Sequence, residues 1–162
     1  MARTIRTLAA VAGAVVALSL TACSDDGDEP QRDESGQVTE SAGAADIFDV
    51  KVGDCVGDFE DENEVTDVAV VPCADEHAQE VFASAEIPDG DFPGDDALRE
   101  QAQEECAAEF ATFVGTPWPE SELDYTWLQP TEESWSQGDR ELICLVYDPA
   151  GPVTGSLEGA GR

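Results

Sequence analysis

A single histidine, His77, stands among Asp75, Glu76 and Glu80. An imidazole oriented by a carboxylate is the arrangement of a general base. No serine or cysteine nearby sits in a recognisable nucleophile turn, so the structural alternative is a histidine that hydrogen-bonds a turn. Asp89-x-Asp91-x-Pro93-Gly94-x₅-Glu100 approaches a calcium loop, with acids at positions one, three and twelve and glycine at six. Proline at position five offers no side-chain oxygen, and no amphipathic helix precedes it. No metal site and no cofactor are therefore expected. Trp118, Trp127 and Trp135 offer either core or an aromatic binding face. Arg140, one of few cations, is expected to form an internal ion pair with Asp139 as its turn neighbour. His77, Trp135 and Arg140 are the candidate binding residues, and none is assigned a catalytic role.

Cys55, Cys73, Cys106 and Cys144 lack the C-x-x-C spacing of zinc or redox sites. An even number in an exported domain points to disulfides, with three possible connectivities. Cys106 falls in an apolar helical stripe and Cys144 on the apolar face of a strand. We therefore expect Cys106–Cys144, which leaves Cys55–Cys73.

Export is read from the amino terminus. Arg3 and Arg6 precede an uncharged, mostly Ala/Val/Leu stretch from Thr7 to Ala22, 16 residues long. That falls short of the roughly 20 needed to span a bilayer and fits a signal peptide. The step Leu20-Thr21-Ala22-Cys23 resembles the lipobox of bacterial lipoproteins. Cys23 is then the lipidated first residue, carrying thioether-linked diacylglycerol and palmitate-type acyl chains. The expected location is the extracytoplasmic face of the cell membrane, lipid-anchored.

The chain carries a formal charge of −30. Removing the leader takes two of the seven basic residues and no acidic one, leaving five against 37, a formal −32. Phosphates would repel such a surface, which argues against nucleic acid. The charge favours solubility, mobile counter-ions and basic partners.

The elements that must position these residues follow from pattern. We divide the chain into a lipoprotein signal peptide (1–22), an acidic disordered tether (23–46) and a folded domain (47–160). The tether has almost nothing to bury. Phe48, Val50 and Val52 alternate with polar residues as a strand does, and Gly53-Asp54 turns the chain into Cys55. The acidic run Asp58 to Glu64 reads as loop. Strands are expected over Asp67 to Val71 and over Glu80 to Ile87, the latter with Val81, Ala83, Ala85 and Ile87 on one face. Asp95 or Asp96 can cap a helix whose stripe is Leu98, Ala102, Cys106, Phe110 and Phe113, ended by Gly115. Tyr125 to Gln129 reads as a strand, and Thr131 caps a short turn through Trp135. Arg140 to Tyr147 is the strongest strand, with Leu142, Cys144 and Val146 on one face. Val153 to Leu157 is expected to add an edge strand, and Gly159 onward to fray. The fold class is α+β: an antiparallel sheet of four or five strands on one main helix, stapled by two disulfides.

The folded region resembles the septum-formation domain family of exported and membrane-anchored proteins in actinomycete-type bacteria. The resemblance is carried by Val52-Gly53-Asp54-Cys55, Val71-Pro72-Cys73, His77, Glu80-Val81, Cys106, Phe110 and Val114-Gly115. Pro130-Thr131, Ser134-Trp135, Gly138-Asp139-Arg140, Cys144 and Gly155-Ser156-Leu157 complete it. The chain departs at Ala74-Asp75-Glu76, where such domains more often place a proline just before the histidine. The resemblance implies an extracytoplasmic domain loosely tied to septation, and it does not imply an enzyme.

Two function classes follow. One is a non-enzymatic envelope module that binds another protein or a wall component. The other is a hydrolase using His77 with neighbouring carboxylates. A deep cleft converging on His77 favours the hydrolase; an exposed apolar or aromatic patch on the sheet favours the module. A third reading, cation buffering by bulk acidity, calls for strong salt dependence.

Overall fold

The computed structural model describes residues 29–59 and 65–162. The leader, Cys23, the first part of the tether and most of the acidic run ending at Glu64 lie outside the described residues. The fold is α+β. Strands β1 (Gln31–Arg32) and β2 (Val38–Glu40) form a small ribbon. Strands β3 (Ala42–Asp46), β4 (Cys55–Val56), β5 (Asp67–Val71), β6 (Gln79–Glu86), β7 (Asp124–Leu128) and β8 (Glu141–Tyr147) form one antiparallel sheet in the order β3-β5-β4-β6-β8-β7. Six strands replace the four or five expected, because the amino-terminal segment supplies one.

That segment is the main correction. Residues read as the end of a disordered tether, up to Asp46, pair into the sheet: Ala42 lies opposite Val70 and Ala45 opposite Val68. Both alanines are buried. Their small side chains let an edge strand lie close, while scoring low on any apolar count. Arg32 adds an anchor. Its guanidinium donates to both oxygens of Asp54, at 2.5 and 2.6 Å, and Asp54 is 3% exposed. The alternation at Phe48, Val50 and Val52 does not form a strand either. Asp46 accepts from the Phe48 N–H and caps a 3₁₀ turn over Ile47–Asp49. Only Val50 of that trio is buried. Gly53, at φ +92°, makes the turn into β4 as expected.

Helix α1 (Asp95–Val114) lays Leu98, Ala102, Cys106, Phe110 and Val114 on the sheet, one residue every four. Val114 takes the place expected for Phe113, which packs at the margin. Gly94, not an aspartate, sits at the N-cap, and Asp95 and Asp96 occupy the first turn, where their charge suits the helix dipole. The short helix α2 (Glu132–Ser136) is capped by Thr131 in a reciprocal box with Ser134.

Strand β8 is apolar on both faces. Leu142, Cys144 and Val146 meet α1, while Ile143 and Leu145 join a second core with Val56, Val68, Val70 and Val81. A bulge between Val81 and Ala83 flips the face of β6. Val81 therefore parts from Ala83 and Ile87, and Phe82 turns toward α1. A strict period of two could not show this, because a bulge inserts one residue. Disulfides join Cys55 to Cys73 and Cys106 to Cys144, as expected from the inward faces.

The carboxyl terminus neither forms a strand nor frays. Val153 makes one bridge to His77, and Gly159 and Gly161 donate to the carbonyls of Phe113 and Val114 at the end of α1.

Candidate functional site

His77 is 2% exposed. Its backbone exchanges two hydrogen bonds with Val153, at 3.0 and 2.9 Å. Its Nδ1 lies 2.9 Å from the Asp75 carbonyl; a carbonyl can only accept, so Nδ1 carries the proton. Nε2 is buried with no hydrogen-bond partner among the described residues. Glu80, 1% exposed, accepts from the Ser156 hydroxyl at 2.7 Å and the Leu157 N–H at 2.5 Å. Burial pushes its carboxyl above the usual range, only partly offset by those two donors and by His77. One ligand atom each from Cys55, His77 and Glu80 lies within 4.8 Å of the others. The Cys55 sulfur is bonded to Cys73, so the thiolate that a metal would need is not there.

Ser156 was not singled out alone by the sequence, because only the fold brings it to Glu80 across 76 residues. It donates to Glu80 and accepts from the Glu158 N–H at 3.0 Å, and no hydrogen bond joins it to His77. The serine–imidazole link of a nucleophilic triad is thus not formed. What the cluster does is fasten the tail. Gly155, at φ +85°, donates to the Cys73 carbonyl at 2.6 Å, and Leu157 is buried beside it.

A second cluster holds Trp135 and Arg140. The Arg140 guanidinium carbon lies 3.7 Å above the centre of the Trp135 ring, a cation–π contact. Nη1 donates to the Trp135 and Asp139 carbonyls at 2.8 and 2.6 Å, and Nη2 to Asp89 at 2.9 Å. The ion pair is with Asp89, not Asp139. Asp139 instead accepts from the Ser134 hydroxyl and the Glu141 N–H. The Arg140 hydrogen bond holds the Asp89 carboxyl below its ordinary value. This commits the first acid of the calcium-like loop to an internal partner. Trp135 is core and donates its indole N–H to the Gly90 carbonyl at 3.1 Å. Trp127 is half-buried, and Trp118, 43% exposed, stands edge-on against Tyr125. Tyr125 also packs beside Trp127 at 6.4 Å, and Trp127 and Trp135 border the same core.

The residues singled out for chemistry therefore hold turns, caps and the tail. The open space lies elsewhere. A groove of about 1130 Å³ runs past β7, its apolar lining including Ile47, Phe48, Leu128 and Ile143. Its charged lining is Asp95, Glu132, Asp139 and Glu141 against Arg99. A smaller hollow of about 430 Å³ adjoins it, bounded by Phe48, Glu86, Asp139, Arg140 and Glu141. Burial raises the Glu141 carboxyl, and the neighbouring Asp139 and Glu86 charges raise it further. Neither space is lined by His77, Glu80 or Ser156. Phe48 is 54% exposed. Sequence alone gave no signal for this groove beyond the apolar residues that border it, since it forms between segments distant in the chain.

Comparison with known proteins agrees with the resemblance. A family model described as septum formation matches residues 52–160. Two proteins of Mycobacterium tuberculosis, from strains CDC 1551 and H37Rv, are each described as an uncharacterized membrane protein. Each is 30% identical to this chain over 107 residues, covering 58% of this chain and 23% of the relative. The match thus spans less than a quarter of the length of these relatives. No solved structure matches.

Proposed function

This chain belongs to the septum formation family, and from that premise we propose that it is a non-enzymatic binding module of the cell envelope. It is held by lipid at Cys23 on the extracytoplasmic face and works by contact with another envelope protein or a wall component. One observation carries the reading. The groups with chemical potential, His77 through its Nδ1, Glu80, Arg140 and the four cysteines, make internal structural contacts. The open groove, with polar and apolar residues in its lining, lies on a different part of the sheet. A hydrolase built on His77 calls for a cleft converging on it, and His77 is covered by the tail.

Membrane association agrees with the descriptions of the mycobacterial relatives. No helix among the described residues is long and apolar enough to cross a bilayer; the anchor we assign is a lipid on Cys23, on the strength of the Leu20-Thr21-Ala22-Cys23 step. Each buried methylene contributes about 0.8 kcal/mol, and two or more chains anchor stably. The expected outcome for Cys23→Ala is release of the protein into the medium. Continued membrane association of that variant, measured by fractionation, would sink the anchor. Crosslinking in intact cells followed by mass spectrometry tests the module itself; it should recover a discrete envelope partner.

A further inference from the structure

We infer that the groove along β7 docks an extended, cationic peptide segment of another envelope protein, with apolar side chains on the floor and Lys or Arg on the rim. The inference rests on the binding-module reading above and names the partner's chemistry. Three observations converge on it. The first is charge. Asp95, Glu132, Asp139 and Glu141 border the groove against Arg99 alone among the basic residues lining it, and the chain as a whole stands at −30. Opposite charge steers encounter and selects the partner. A second copy, or an acidic segment of this same chain, would bring carboxylates to carboxylates.

The second is the floor. Phe48 remains 54% exposed at the junction of the groove with the smaller acidic hollow. An apolar surface left open inside a polar rim marks an interaction site. The third is the backbone. β7 ends the sheet order, and among the described residues no further strand pairs with its outer edge. An open edge accepts an extended chain through main-chain hydrogen bonds, and alternate side chains then face down and out. Apolar-down, basic-out is the alternation that this floor and this rim would accept. Burial raises the Glu141 carboxyl, and the nearby Asp139 and Glu86 charges raise it further, so an arriving cation relieves that repulsion.

The test is calorimetric titration of the mature chain with three short synthetic peptides: alternating lysine–valine, lysine–glycine of equal charge, and glutamate–valine. The lysine–valine peptide should bind at least roughly tenfold tighter than lysine–glycine, a gap of about 1.4 kcal/mol, and glutamate–valine should not bind. Phe48→Ser should weaken lysine–valine binding by a similar factor; the side chain is already half in water, so the fold is kept. Glu141→Gln should weaken binding and flatten its salt dependence. Equal affinity for the two lysine peptides would mean attraction by bulk acidity and would overturn the inference, as would unchanged binding by Phe48→Ser. Self-association abolished by Phe48→Ser would assign the groove to a second copy instead. If titration is blank while cell crosslinks map to other faces, the docking inference falls and the module reading stands.

Discussion

Glu80 is an acid held inside the protein by two donors, Ser156 and Leu157. Its raised proton affinity sets the sign of a pH effect. Below its ordinary value of 4.5 the carboxyl is protonated whether the chain is folded or not. Between that value and the raised folded one, the folded state binds more protons, so stability falls as pH rises. Glu80→Gln keeps an acceptor for Leu157 and removes the titration. The stability of the wild type minus that of the variant should therefore decline as pH rises above 4.5, measured by urea unfolding across pH. A flat difference would contradict the buried-latch role. The same residue shows what the sequence could reveal. Glu80-Val81, His77 and Gly155-Ser156-Leu157 were legible as parts of one pattern. Their shared role was not, because a hydrogen bond across 77 positions leaves no local periodicity. Arg140 was legible as an internal ion pair, and its partner was misread as the turn neighbour because Asp89 reaches it from 51 residues away.

Among the elements, those with a strong repeat were read correctly. α1 shows its stripe every four residues, β8 its apolar run, and β5 ends before Pro72 where expected. Where a local capping bond or a bulge interrupts the repeat, the reading failed, as at Ile47–Asp49 and between Val81 and Ala83. β3 failed for a different reason: alanine and glycine carry little apolar signal, and tertiary pairing decides their state. A consequence can be measured. A chain beginning at Ile47 loses β3, the burial of Ala42 and Ala45, and the Arg32–Asp54 ion pair. It should unfold at clearly lower urea than one beginning at Glu29. Equal midpoints would mean that the amino-terminal strands contribute nothing. The disulfides act at this scale too. They close loops of 18 and 38 residues, worth about 3 and about 4 kcal/mol by loop entropy. Replacing the Cys106–Cys144 pair by alanines should destabilise more than replacing Cys55–Cys73, as read from paired denaturation curves; the reverse order would mean that strain or residual structure outweighs loop length.

At the level of the whole molecule, two cores on either face of one sheet are closed by a tail and an amino-terminal ribbon. Among the described residues, the outward surface includes charge, the exposed Phe48, Val52 and Trp118, and the groove beside β7. The fold class and the disulfides were readable from composition and spacing. The groove was not, since Phe48, Leu128 and Ile143 meet only after the sheet has formed. On the function proposed above, activity follows surface contact and position at the membrane. The most direct measurement places a photo-crosslinking side chain at Phe48 of the lipid-anchored protein in intact cells. The account predicts discrete adducts with another envelope component, lost when Glu141 and Asp139 are neutralised. No adduct from Phe48, with substrate turnover that His77→Ala abolishes in a folded protein, would contradict it.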